Sequence, residues 1–246
     1  MNSAHKGKEL RERRFRLARK WSNQELRKIS HLFAGDVVNV SAGENIDKEG
    51  RTYDEYFTNK TGYFTTNYHP GAFRGYQGRP NEYLLDLEGD IPDELSGRFD
   101  VVFNHTVLEH VFDVRAAFSN LCRLSKDVVI IVVPFVQEQH DTTGYNDFWR
   151  FAPNGLRRLF RDNGLSVIYE SCNYDQDAAV YLFFVGSRQP AKWQEHMPMY
   201  NPITDAGSWI GSSKLLENAT ARESFKQLRR ALRAKVNSWL RRADAK

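Results

Sequence analysis

Residues 99–134, FDVVFNHTVLEHVFDVRAAFSNLCRLSKDVVIIVVP, restrict the fold more than any other part of the chain. Phe99, Val101, Val102 and Phe103 follow a turn-prone Leu-Ser-Gly-Arg and predict a short buried strand. Residues 128–133 are an unbroken β-branched run that stops at Pro134, the pattern of a strand covered on both faces. Between the two, Val114, Ala117, Phe118, Leu121 and Leu124 recur at helical spacing, so one stripe of a helix faces inward. Asp113 stands where a side-chain oxygen caps that helix. Strand, helix and strand in so short a span form a βαβ unit, which requires a parallel sheet and a right-handed crossover.

Further strands are expected over residues 36–40, 63–68, 82–87, 165–169 and 178–185. Pro153 opens a helix with Leu156, Leu159 and Phe160 inward, ended by Gly164 after Asn163. Residues 8–33 predict a basic helix with Leu10, Phe15, Leu17, Trp21, Leu26, Ile29 and Leu32 as its apolar positions. The Ser22-x-x-Glu25 spacing is that of a capping box, from which a second helix could start. Residues 47–61 form a short helix or an excursion, and residues 71–81 a Gly-rich loop. Residues 190–215 show few strand or helix signals. Residues 217–242 predict a basic helix with Phe225, Leu228, Leu232, Val236 and Leu240 on one stripe. The chain therefore divides into a basic helical extension (1–34), an α/β domain (35–188), an irregular linker (189–216) and a basic amphipathic helix (217–246).

The chain has 246 residues, enough for one α/β domain with extensions. No apolar run approaches the roughly 20 residues needed to span a bilayer. The basic start lacks an apolar stretch, so no secretory signal is expected and a cytoplasmic location follows. Cys122 and Cys172 are too few for a disulfide framework; Cys122 is expected as a small core residue. Charge is unevenly spread. Residues 1–34 and residues 213–246 each carry ten Lys/Arg against three Asp/Glu, leaving 15 basic and 25 acidic residues between them. An acidic globule with two basic arms is expected. Each arm is foremost a solvated helix and secondarily a contact for an anionic membrane surface or a polyanionic substrate, while the apolar stripe of residues 217–242 suits docking on its own domain or a homodimer partner.

Asn104, His105, Thr106, Glu109 and His110 lie just past the carboxyl end of a parallel strand, the edge where open α/β sheets bind ligands. The string Phe99-Asp100-Val101-Val102, then Val107-Leu108-Glu109-His110 and Asp113, resembles the class I S-adenosylmethionine-dependent methyltransferases. That resemblance implies a Rossmann-like α/β fold: a mostly parallel seven-stranded sheet with helices on both faces, the last strand antiparallel beside the fifth, and here basic helices at both ends. It implies S-adenosylmethionine as cofactor. In the family, an acidic residue and a glycine-rich loop follow the first strand. Here Asn39 stands in the acid's place, Ser41 in that of the first glycine, Ala42 follows, and only Gly43 matches. Asn67 takes the place of the ribose-binding carboxylate, and Asp86 that of the adenine-binding one. Asn104 and His105 complete the implied cofactor set.

The later string with His140 and then Asp147-x-Trp149-Arg150-Phe151-x-Pro153 resembles methyltransferases of bacterial surface-polysaccharide and glycan modification. It implies a small-molecule or glycan acceptor. A sugar hydroxyl needs a general base, for which His140 comes first and His110 next, each with the alternative of a satisfied loop histidine. Tyr145 and Trp149 suit a sugar face, and Arg150 a phosphate or carboxylate. A divalent ion is a rival device; His140, Asp141, Asn146 and Asp147 offer hard ligands, but at a spacing that fits no regular site, so no metal is expected. Other readings are a methyltransferase-fold scaffold without catalysis, favoured by Asn39, Ser41 and Asn67, and a nucleic-acid methyltransferase. The last lacks an Asp/Asn-Pro-Pro-Tyr/Phe string after the fourth strand, so a nucleic-acid partner is not expected. The absence of G-x-G-x-x-G after Val40 disfavours a nicotinamide dehydrogenase.

Overall fold

The computed structural model describes residues 3–173, 179–200 and 202–203, with the side chains of the first helix described from Arg16 onward. Seven strands, β1 (Ala34–Val40), β2 (Asn59–Asn67), β3 (Glu82–Leu84), β4 (Phe99–His105), β5 (Ser125–Val136), β6 (Ser166–Cys172) and β7 (Val180–Ser187), form one sheet. Their order is β3-β2-β1-β4-β5-β7-β6. β7 runs antiparallel to both β5 and β6, while the pairings among β1 to β5 are parallel. The βαβ unit read from residues 99–134 is β4, α2 (Val114–Leu124) and β5.

The β5 run is apolar throughout because both of its faces are covered. Val129, Ile131 and Val133 enter one core with Phe118 and Leu121 of α2 and with Leu156 and Phe160 of α3 (Pro153–Asp162). Val128, Ile130 and Val132 enter the other, closed by Ala18, Leu26 and Ile29 of α1 (Ser3–Ile29) and by Tyr53 and Tyr56 of a 3-10 turn. Asp113 caps α2, accepting from the Ala116 amide at 3.0 Å, and Pro153 sits in the first turn of α3. Both cysteines are buried thiols.

Among the described residues, no α-helix lies between β1 and β2, between β2 and β3, or between β3 and β4; those connections hold 3-10 turns and loops. The C-terminal half of α1 therefore covers the sheet face that these crossovers leave open, and Arg19 and Ser22 of α1 come to lie over the carboxyl ends of the strands.

Several expectations need correction. β5 does not stop at Pro134 but continues to Val136. Pro134 faces Tyr181 across the ladder with a register shift just after it, and its carbonyl accepts from the Phe151 amide at 3.0 Å. A bulge accommodates the missing N–H. No second helix starts at Ser22, because its hydroxyl donates back to Arg19 O at 2.8 Å within an unbroken helix. Leu17 is 46% exposed and Ala18 takes the core position. β2 begins earlier than expected, at Asn59, and β3 ends at Leu84. A single-turn helix α4 (Pro190–Trp193) forms within the expected linker, because Trp193 packs edge-on against Phe33 and its indole N–H donates to Asp127. The helix expected over residues 217–242 lies outside the described residues. No helix among the described residues is long and apolar enough to cross a membrane.

Gly186 on β7 lets α3 approach the sheet, since a Cβ there would lie 2.3 Å from Phe160 Cδ1. Replacing Gly186 by Ala is expected to destabilise the domain by about 1–3 kcal/mol through overpacking. A thermal melt of the variant checks this; an unchanged melting temperature would contradict the packing.

Candidate active site

The carboxyl ends of β4 and β5 gather the polar residues that sequence places past each strand. His105 turns toward α1, with Nε2 2.8 Å from Ser22 Oγ and Nδ1 3.2 Å from Thr106 Oγ1. Ser22 already donates its proton to Arg19 O, so His105 Nε2–H is the donor to Ser22 and Nδ1 accepts from Thr106. Burial, and then the charge of Arg19, hold the His105 pKa well below its ordinary value. It is a neutral, anchored ring between Tyr53 and Phe103. Its neighbour Asn104 donates to Val40 O at 3.1 Å, while its own Oδ1 is buried without a partner.

Beyond Asn104 the chain makes a 3-10 turn at Leu108–His110. Glu109 in that turn is fully buried, and neither carboxylate oxygen has a hydrogen-bond partner. Burial lifts its pKa to about 8, against the opposing charge of Arg19. The Glu109 carbonyl accepts from the Phe148 and Trp149 amides, at 2.7 and 3.2 Å, and so ties the 140s loop over the turn. His110 Nδ1 lies 2.6 Å from Asn146 O and must donate there. That leaves the His110 Nε2 lone pair 3.8 Å from Glu109 Oε1. Burial lowers the His110 pKa, partly offset by the Asn146 carbonyl.

His140 completes the group. Its Nδ1 lies 2.9 Å from Asp147 Oδ2, so the proton belongs on Nδ1 and the basic nitrogen is Nε2. Asp147 is held in turn by Arg150, at 2.6 and 2.7 Å in bidentate geometry. Although burial opposes it, hydrogen bonding from Arg150 and the His140 amide brings the Asp147 pKa down to about 2. The His110 and His140 rings meet edge-on at 4.9 Å, and Tyr145 lies 4.3 Å from the first. Ligand atoms of Glu109, His110 and His140 all lie within 4.8 Å of one another.

Residues of the implied substrate set occupy the same loop. Tyr145 touches both histidines and Phe73. Trp149, 38% exposed, donates its indole N–H to the carbonyls of Val111 and Phe112. Arg150 directs its donors inward, to Asp147 and to the carbonyls of Gln137, Glu138 and Trp149. It holds the 137–150 loop together.

The other implied cofactor positions lie around the ends of β1 to β3. Ser41 and Gly43 both have positive φ, so the chain does turn sharply after β1. The turn is tied mainly to β2: the Ser41 and Ala42 amides donate to Thr66, the Gly43 amide to Asn67 Oδ1 at 2.7 Å, and the Asn45 amide to Ala42 O. Asn39, buried at the end of β1, donates to Asn45 Oδ1 at 2.9 Å. Asn67 also donates to Glu82 Oε1 at 2.6 Å, and Glu82 accepts from the amides of Gln77 and Arg79. Arg74 packs against Gly43, where a Cβ would come within 3.2 Å of its side chain. Asp86 is exposed beyond β3, its Oδ1 accepting from the Glu88 amide at 2.9 Å.

Sequence reasoning placed Glu109 at the ligand edge without giving it a role, and did not single out Arg19 or Glu82 as parts of a site. Glu109 stood inside the Leu-Glu-His string, but a single carboxylate in a loop gives no sign of its burial. Arg19 reaches the strand ends only because α1 folds over them. Asp147 was noted as a neighbour of His140 and proves to be the carboxylate that orients it.

No protein-family model matches the sequence, and no curated protein matches it. Among solved structures, a Haloferax volcanii complex between the Trm112 methyltransferase activator and a methyltransferase aligns with 69% of this chain and 90% of its own, at 15% identity and a TM-score of 0.50. N-methyltransferase NodS from Bradyrhizobium japonicum WM9, in complex with S-adenosyl-l-homocysteine, aligns with 69% of this chain and 86% of its own, at 14% identity and 0.48. Magnesium protoporphyrin IX methyltransferase from Synechocystis PCC 6803, with bound SAM, aligns with 70% and 79%, at 16% and 0.46. With the strand order and the antiparallel seventh strand, the chain has the Rossmann-like class I methyltransferase fold.

The burial of Glu109 sets a pH dependence. Its pKa of about 8 lies above its ordinary 4.5, so the unfolded chain loses this proton first. In metal-free protein the group's contribution to stability is full below about pH 4.5 and is lost as pH rises to about 8, a cost of roughly 3 kcal/mol by pH 7. Glu109→Gln is expected to melt at a higher temperature than the parent at pH 8 and at nearly the same temperature at pH 4.5. A variant melting lower at pH 8 would contradict the unpartnered carboxylate.

Proposed function

We propose that the chain is an S-adenosylmethionine-dependent methyltransferase that methylates a hydroxyl of a sugar or glycan acceptor, in the cytoplasm, in the making of cell-surface polysaccharide. The observation that carries this reading is the pair His110 and His140 at the ligand edge of the sheet. Each has its Nδ1 anchored, by Asn146 O and by Asp147, so that Nε2 is the basic atom. A hydroxyl is a poor nucleophile until its proton has somewhere to go, and an oriented imidazole is suited to take it. Tyr145 over the two rings, with Phe73 and the exposed Trp149 nearby, gives apolar faces against which a sugar ring can lie.

S-adenosylmethionine supplies the methyl group when bound. The residues present fit it at two places. Asn104 Oδ1 is a buried acceptor without a partner, suited to an ammonium or hydroxyl donor. Asp86 presents an exposed carboxylate beyond β3, suited to an exocyclic amine. His105, neutral and fixed by Ser22, shapes the wall between them and the acceptor end. The turn at Ser41, Ala42 and Gly43, together with Asn39 and Asn67, supplies the shape of the cradle through its own hydrogen bonds. The basic segments at both ends are proposed to serve as contacts with an anionic membrane face or a second copy of the chain.

A second reading, a methyltransferase-type scaffold without catalysis, is favoured by the turn after β1, whose amides at Ser41, Ala42, Gly43 and Asn45 are all engaged within the protein. Calorimetry with S-adenosylmethionine separates the two. The enzyme reading predicts micromolar binding, weakened about tenfold by Asp86→Asn, since hydrogen bonds to a charged group contribute about 1.5–3 kcal/mol. It further predicts that His140→Ala leaves cofactor affinity unchanged while slowing transfer of labelled methyl to a sugar acceptor by about 10²–10⁴-fold. No binding at millimolar cofactor would favour the scaffold.

A further inference from the structure

We propose that Glu109, His110 and His140 form a binding site for a divalent transition-metal ion at the acceptor end of the site. Two imidazoles and one carboxylate are the ligand set of open zinc and non-haem iron sites. Their ligand atoms lie within 4.8 Å of one another, and His110 Nε2 is 3.8 Å from Glu109 Oε1. A tetrahedral ion with bonds of about 2.0–2.1 Å holds its ligand atoms roughly 3.3 Å apart. Binding an ion therefore requires the side chains to rotate inward by that difference.

The independent observation is the Glu109 carboxylate, fully buried with both oxygens unpartnered. A buried charge is tolerated when paired or bound to a metal. The surroundings have the form that metal ligands need. A ligating histidine usually donates its other ring N–H to a carboxylate or a carbonyl, which fixes its tautomer. His140 does so to Asp147, and His110 to Asn146 O. Asp147 is itself fixed by Arg150, which neutralises that pair. Gln137, whose amide nitrogen lies 3.2 Å from His140 Nε2, has its Oε1 buried without a partner, so its amide offers a further oxygen at this place. Arg19 faces the cluster from α1 and opposes a cation, which favours an ion held by nitrogen donors over one bound by charge alone. With two nitrogens among three ligands, the set suits zinc or iron better than magnesium or calcium. Such an ion lowers the pKa of a coordinated hydroxyl, the requirement of a sugar acceptor. The histidines would then act as its ligands in place of taking the proton themselves.

This inference deepens the acceptor end of the methyltransferase reading, but metal binding is measured without cofactor or acceptor, so failure of one and failure of the other are separate results. The test is titration of the chelator-treated full chain with Co²⁺, followed by visible absorption, and with Zn²⁺ in competition. The expected result is one equivalent bound, with absorption bands that Zn²⁺ displaces. Glu109→Gln and His140→Ala, each checked for a cooperative thermal melt, should weaken binding at least tenfold, and His31→Ala, exposed before β1 at the amino ends of the strands, should not. Absence of stoichiometric binding in the unmodified chain overturns the proposal. So does binding that survives unchanged in whichever of the two ligand variants folds.

Discussion

An unpaired carboxylate at the end of β4 is the constraint around which the polar half of this molecule is arranged. Glu109 is sealed by the loop that its own carbonyl anchors and by α1 lying over the strand ends. A buried charge raises its pKa or attracts a counter-charge. The first response dominates: the carboxyl is shifted to about 8 against the charge of Arg19, and the ligand atoms of His110 and His140 lie close by. The second carboxylate of the region, Asp147, meets the opposite fate because Arg150 grips both of its oxygens. The two acids are pushed apart in this way, one protonated near neutrality and one ionised above about pH 2.

The cofactor end follows a different logic. Without an α-helix after β1, the turn at Ser41–Ala42–Gly43 has no helix dipole behind it and takes its shape from Thr66 and Asn67. Asn67 can accept from Gly43 and donate to Glu82 at once, which a carboxylate could not do. The asparagine thus serves the architecture of the turn, and Glu82 is the acid that balances it. α1 compensates for the missing crossover helices by supplying both apolar cover and the Ser22 hydroxyl oxygen that accepts from His105 and fixes its ring.

The βαβ unit was legible because periodicity and capping there depend on local sequence: the run at residues 128–133 and the cap at Asp113 needed no distant partner. The strand continuing past Pro134 was not, because a proline is tolerated only through the bulge opposite Tyr181, a tertiary feature. Ser22 read as a cap and proved to be a mid-helix hydroxyl, since its hydrogen bond to Arg19 O looks the same in sequence as a turn. Trp193 formed a helical turn through Phe33 and Asp127, residues far away in the chain. Within the site, His110 and His140 could be named from their strings, but the tautomer of each is set by Asn146 O and Asp147. Glu109 was visible only as a letter between Leu108 and His110; its lack of a partner is a property of the assembled fold.

We propose that the nucleoside cofactor lies along the ends of β1 to β4 with its reacting sulfur facing the Glu109 cluster. A crystal structure of the full chain grown with S-adenosylhomocysteine tests this most directly. The account predicts the adenosine near Asp86 and Gly43, Arg74 displaced from its seat on Gly43, and the thioether turned toward Tyr145, His110 and His140. A turn at Ser41–Ala42–Gly43 still covered by Arg74, with the ligand absent or bound elsewhere at saturating concentration, would contradict it.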